Sequence, residues 1–238
     1  MHHVILERWA QRQSPLHARD ARAKILALLA FLIVLATTPS GAATRIAAYA
    51  VVALCAVLVG RLPMFKVLLR AGIVLPFSIT FALISWIGGD HVRAIALVEK
   101  TYLSAIAVLV VAGTTPLPAL LKGFESLGAP RVLISVIQFL YRYLFVISEQ
   151  AQHMRVAAAC RAGLRKISRR NRFHAAAGAL GVLFARSYFR ADGIYRAMLA
   201  RGYNGHLPVA DPGRFSIADA AFAVLAVVAL AALRVAPY

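Results

Sequence analysis

Acidic side chains are scarce here: 9 aspartates and glutamates stand against 27 lysines and arginines, for a net charge of +18. No acid falls inside the first four long apolar runs, and Glu99 stands only at the edge of one. Ion-coupled carriers keep intramembrane acids for their chemistry, so this absence weighs against a self-contained secondary transporter. Cysteine is almost missing too. Cys55 lies in an apolar run and Cys160 in a basic one; a disulfide would have to join opposite sides of a membrane boundary, and no metal-type cysteine spacing exists. There is no Walker-type phosphate loop, so the chain does not hold ATP in that way. No paired-histidine zinc helix and no nucleophile elbow is present.

The 7 histidines are scattered. His2 and His3 are adjacent and read as solvated chain; His91 beside Asp90, on an outer loop, is placed to touch a cation in transit. No catalytic residue, cofactor site or metal site emerges. No internal repeat emerges either, and alanine richness is the only compositional bias.

What is abundant is apolar surface. Hydrophobic residues make up 61% of the chain and charged ones 15%, with a mean hydropathy of +0.73. Soluble domains hold about 45–50% and about 25% respectively, so the excess needs a bilayer. The fold class is therefore all-α, a polytopic integral membrane protein. Runs of about 20 uncharged residues can cross hydrocarbon. Five candidates occur: Ile25–Thr44, Ile46–Gly60, Ala71–Gly89, Thr101–Leu121 and Phe215–Leu233. The second lengthens by Ala42 and Ala43 if Arg45 snorkels to the interface. Thr37 to Gly41 reads as a terminal turn, and Thr114-Thr115-Pro116 as a helix stop, because proline lacks the backbone donor. Asp219, near the start of the last run, reads as an interfacial residue. The basic N-terminus is long, and the apolar run after it lacks a small-residue cleavage site; it reads as a first span rather than a signal peptide.

Between Pro130 and Arg214 the pattern changes. Leu133, Val136, Ile137, Leu140, Leu144 and Ile147 recur at helical spacing, interrupted by Arg142, Glu149 and Arg155. A basic cluster of Arg165, Lys166, Arg169, Arg170 and Arg172 follows. A second amphipathic stretch runs from about Phe173 to Ala200 and closes at Gly202, a residue free to take positive φ. These read as two amphipathic helices on or under the membrane surface.

The division is a basic cytoplasmic N-terminus at 1–24, four spans in 25–121, cytoplasmic helices in 122–214 and a final span in 215–238. With the N-terminus inside, all of the 27 basic residues except Arg45, Arg93, Lys100 and Arg234 fall on the cytoplasmic side. Positive residues are retained there. Nucleic acid is excluded as a partner because the basic residues interleave with membrane-length runs; the bilayer itself is the implied contact.

One short segment stands out: Ala197-Met198-Leu199-Ala200-Arg201-Gly202-Tyr203. Ala200 and Gly202 leave a helix end bare enough for another surface to approach. Arg201 offers a planar charged fork for carboxylates and carbonyls. A plain C-cap, with arginine opposing the helix dipole, fits the same residues.

The run Arg186 to Arg196 leading into Ala197–Tyr203 resembles the signature of the T component of energy-coupling factor transporters, and more narrowly its cobalt-type branch, CbiQ. The Asp20-Ala21-Arg22-Ala23-Lys24 stretch within Ser14–Ile25 fits the same family. The likeness covers nearly the whole chain in order. It implies a non-catalytic membrane subunit without cofactors, in the cytoplasmic (inner) membrane, that joins two ATPase subunits to a substrate-binding membrane S component. The family carries two Ala-Arg-Gly motifs at the ends of coupling helices seated on the ATPases. Ala200, Arg201 and Gly202 match the second. At the place of the first stands Ala159-Cys160-Arg161-Ala162-Gly163, so Arg161 and Gly163 are the expected residues, shifted by one inserted alanine. Cobalt is the substrate the likeness implies, with nickel or a vitamin as alternatives and a stand-alone secondary transporter as the rival class. A membrane enzyme acting on lipid or isoprenoid substrates lacks convergent acids or histidines. A membrane anchor or assembly factor would bind partners without supporting uptake.

Overall fold

The computed structural model describes residues 14–162, 168–205 and 216–235. No strand occurs among them. Two compact units form, one from Met1–Ala129 with Gly213–Tyr238 and one from Pro130–Pro212.

In the first unit, α1 spans Ala21–Thr37 and is N-capped by Asp20, whose carboxylate accepts from the Arg22 N–H at 2.9 Å. It stops at Thr38, before Pro39, as the turn residues require. α2 spans Ala43–Val59. α3, Met64–Ala71, and α4, Leu75–Ile87, are joined by a 3₁₀ turn at Gly72–Val74 with Pro76 in the first turn of α4. α5, His91–Thr114, begins at Asp90, whose side chain accepts from the Arg93 N–H at 3.0 Å. α6 spans Leu117–Ser126, and α9 spans Ile217–Val235.

α4 and α5 form the most extensive pairing, α9 packs along α1, and α5 also touches α1 and α2. The core follows from helical spacing: Phe31 and Leu35 on α1, Tyr49, Ala53 and Val57 on α2, and Leu103, Ile106 and Val110 on α5. Outside it, Ile33, Phe65, Leu69 and Phe77 are exposed. An apolar exterior of this kind is what lipid solvates.

Among the described residues, four helices are long and apolar enough to cross a membrane: Met64–Ile87, His91–Thr114, Arg131–Arg161 and Ile217–Arg234. Ala43–Val59 is a shorter apolar helix. Two spans begin earlier than the uncharged runs do. The third takes in Lys66 and Arg70, and the fourth takes in Arg93, Glu99 and Lys100. The reason is visible for Lys100, whose ammonium donates to the Thr38 carbonyl just past the end of α1. Lys24 does the converse. Buried on α1, it donates to the Thr114 carbonyl at 3.1 Å and to Thr115 Oγ1 at 3.0 Å, at the end of α5. Each of these antiparallel helices carries a lysine that satisfies the C-terminal carbonyl end of the other, the sign the helix dipole favours.

Gly123 sets how closely α6 lies on α1. A Cβ there would stand 2.9 Å from Ile25 Cδ1 and 3.3 Å from Ala21 Cβ. The terminal methyl of Ile25 can swing away, and alanine gains helix propensity. Gly123→Ala is therefore expected to stay within about 1 kcal/mol of wild type, whereas Gly123→Leu, forcing a branched side chain between the helices, should cost about 1–3 kcal/mol. Thermal unfolding in detergent reads the difference; a leucine variant that melts like wild type would show that α6 and α1 are not tightly packed at Gly123.

Candidate functional site

The second unit is built on two long helices, α7 over Arg131–Ala162 and α8 over Arg169–Ala200. Gly163, Arg165 and Lys166 lie outside the described residues, as do His2 and His3. On α8, Asp192 and Arg196 form an i, i+4 ion pair at 2.9 Å. Large apolar side chains on α8 stand in the open: Phe184 is 74% exposed and Phe189 73%. Surfaces like these mark contact with lipid or protein.

The α8 tip is a closed, rigid end. The Tyr203 N–H donates to the Met198 carbonyl at 3.0 Å and the Gly202 N–H to the Leu199 carbonyl at 3.0 Å. Gly202 has φ +80°. This is the paired-bond Schellman geometry, with glycine at the left-handed position. Nothing lies within 4 Å of where a Gly202 Cβ would stand, so the glycine answers to backbone conformation and leaves open space beside it. Ala200, Arg201 and Gly202 are all exposed. Arg201 makes no ion pair among the described residues.

Beside this tip, α7 and α8 enclose a cavity of about 490 Å³ lined by Phe139, Tyr143, Tyr195, Met198 and Tyr203 among others. A neighbouring cavity of about 340 Å³ is charged, with Glu149 and His153 on α7 facing Arg186 and Arg190 on α8. The apolar cavity thus adjoins the arginine tip, and the charged one sits farther along both helices.

Arg161 lies in the last turn of α7 and is exposed. The structure does not bring it together with Arg201. The six residues 163–168 lead from the end of α7 to the start of α8, and Arg201 stands past the other end of that 32-residue helix, about 48 Å long at 1.5 Å per residue.

Comparison with known proteins bears on what such a pair of tips serves. The family described as CbiQ, cobalt transport protein, matches residues 12–210. The chain belongs to the CbiQ family. The Rhodobacter capsulatus cobalt transport protein CbiQ is 30% identical over 117 residues, 49% of this chain and 47% of that protein. Two uncharacterized proteins of Methanocaldococcus jannaschii are similar as well. One is 29% identical over 120 residues, 50% of this chain and 41% of its own length. The other is 30% identical over 102 residues, 42% and 37% respectively. The chain thus spans less than half the length of these relatives. CbiQ is a family of transport components, not of enzymes, and this member is a multi-pass helical membrane protein.

One cluster was not foreseen from residue types. Asp219, expected at the interface, is only 6% exposed. Its carboxylate accepts from the N–H groups of Ser216 and Asp20, each at 3.2 Å, and stands 3.8 Å from Arg19 Nη1. With Lys24 on the Thr114 carbonyl, the Asp20–Lys24 motif ties α1 to α9 and to the end of α5. Asp90 serves as the N-cap of α5. The His91 ring lies against Trp86, centroids 4.2 Å apart.

Proposed function

We propose that this CbiQ member is the transmembrane coupling subunit of an energy-coupling-factor importer, passing the motion of two ATPases to a substrate-binding membrane subunit. The observation that carries this reading is the α8 tip, where an exposed arginine, without an ion pair among the described residues, stands on a helix end held shut by Gly202. A stiff helix moves as a unit when its end is displaced. A projecting guanidinium offers a fork for carboxylates or carbonyls in a partner's groove. Arg161, in the last turn of α7, and Arg201, past the end of α8, lie on different helices and suit two partner subunits better than one, so closing of an ATPase pair would draw both tips together. The apolar cavity and exposed aromatics of α7 and α8 offer the S component a surface that moves with them.

The N-terminus and both tips face the cytosol in this reading, within the inner membrane, and ATP is hydrolysed on the partners. Cobalt ion is the cargo the family description points to. The S component selects it, so nickel or a vitamin is open to the same coupling subunit.

Orientation tests the reading directly. With both native cysteines replaced by serine and a single cysteine placed at Tyr203, a membrane-impermeant maleimide should label the protein in inverted vesicles and leave it unlabelled in intact cells. Labelling from outside would place the tip beyond reach of any cytosolic ATPase.

A further inference from the structure

We propose that the groove between α4 and α5 seats one transmembrane helix of the S component, through a lysine or arginine of that helix paired with Glu99. The inference rests on the coupling-subunit reading above and adds a place within the bilayer where that partner is held.

Glu99 lies inside the span His91–Thr114, eight positions past its start and fifteen before its end, about 12 Å and 22 Å along the axis. An acid at such a depth is expensive and is kept where a partner meets it. None of the described residues does so. Glu99 is exposed and makes no hydrogen bond or ion pair among them. Its neighbours one turn away on α5 are Ile95, Ala96, Tyr102 and Leu103, and the Tyr102 hydroxyl is turned to the Leu68 carbonyl at 3.2 Å. Lys100, next in sequence, is taken by the Thr38 carbonyl.

Glu99 instead lines a cavity of about 340 Å³ whose other walls are all apolar, with Ile79, Leu83 and Trp86 from α4 and Ile95 from α5. Two alanines of the lining, Ala82 and Ala94, are buried, and small residues let a second helix approach closely. Ile79, Leu83 and Ile95 stand exposed around them, as ridges between which the side chains of a partner helix interdigitate.

The groove runs between two spans, so its occupant is a membrane species and cytosolic ATPases are excluded. Acyl chains would cover the apolar walls and leave the carboxylate unanswered. A helix with one basic residue answers both. A second copy of this chain is a poorer match. Copies in one membrane share orientation and depth, so the Arg93 of a second copy would stand about 9 Å along the helix from Glu99. Lys100 and Arg234, near the level of Glu99, are held on Thr38 and Thr37.

The test uses the assembled complex, with this chain, its ATPases and the substrate-binding membrane subunit co-expressed. A photo-crosslinking benzophenone residue at Ile95 should form an adduct with that membrane subunit. The same residue at Phe77, exposed on α4 outside the groove lining, should form at least fivefold less. Peptide mapping of the adduct locates the partner helix. Glu99→Lys should cut recovery of the membrane subunit with the tagged chain at least fivefold and leave ATPase recovery unchanged. Changing the mapped lysine or arginine to glutamate should then bring recovery back to within twofold of wild type, which a merely structural role for Glu99 would not allow. Should Glu99→Lys not fold, Glu99→Gln is expected to lower recovery at least twofold. An Ile95 adduct with lipid or a second copy of this chain, equal adducts at the two positions, a mapped helix without a basic residue, or undiminished recovery in the folded variants overturns the groove assignment alone. A chain that brings down neither ATPases nor the membrane subunit overturns the coupling reading beneath it as well.

Discussion

Replacing Arg201 with glutamate is expected to abolish ATP-dependent uptake and to strip the ATPases from the purified complex, without unfolding the chain. The side chain is exposed and makes no ion pair among the described residues, so its reversal should change stability by no more than about 0.5 kcal/mol. In an assembled interface the situation inverts. Truncating one partner of a buried, hydrogen-bonded charge pair costs about 2–5 kcal/mol, roughly 30- to 4,000-fold in affinity, and reversal adds repulsion. Gly202→Ala separates the helix end from the charge. Its Cβ meets nothing within 4 Å in the free chain, and φ is +80°, so the cost to the isolated protein is about 1 kcal/mol of backbone strain. A larger loss of ATPase binding than that strain explains would report a partner surface pressed against the glycine. If Arg201→Glu still co-purifies with its ATPases and supports normal uptake, the tip has been assigned the wrong role.

How far residue types alone led to this picture depends on where backbone groups find partners. The stops were legible. Thr114-Thr115-Pro116 ends α5 and Gly202 ends α8 because proline and glycine act locally, through a missing donor and a permitted positive φ. The starts of the third and fourth spans were not, since Lys66, Arg70, Arg93, Glu99 and Lys100 break the uncharged runs. A charge inside a span is tolerable once a tertiary partner meets it, and Lys100 shows how: its ammonium lies on the Thr38 carbonyl, 62 residues away in sequence. No window of sequence contains that contact. The short helix α6 escaped for a related reason, because its two prolines read as a break although proline is well placed in a first helical turn. At the α8 tip, Ala200-Arg201-Gly202 was legible through its resemblance to a family pattern. The adjoining aromatic cavity draws on residues 139 to 203 and has no local signature.

The Asp20–Lys24 segment supplies the second large effect. Lys24→Met keeps the length of the side chain but removes its charge and its donors, leaving the Thr114 carbonyl and Thr115 hydroxyl without their lysine at a site where Thr114 is 1% exposed and Thr115 3%. Each buried group so orphaned costs about 1–3 kcal/mol. Asp219 also loses a neighbouring cation and keeps Arg19 at 3.8 Å with two backbone N–H groups. A total near 3 kcal/mol is expected, and at about 2–4 °C per kcal/mol for a chain of this size the melting temperature should fall by roughly 6–12 °C. The segment links three helices, so the loss should not be confined to α1: α9, held through Asp219, should gain protease sensitivity at the same time. Lys100→Met at the opposite end is expected to lower the melting point without exposing the start of α9, because its contact is to the Thr38 carbonyl alone. Combining Lys24→Met with Asp219→Asn should recover part of the loss, since contacting groups couple by about 0.5–3 kcal/mol. Differential scanning fluorimetry with limited proteolysis on the four proteins decides the matter; a Lys24→Met variant that melts within 2 °C of wild type would mean that the α1, α5 and α9 ends are held together by packing alone.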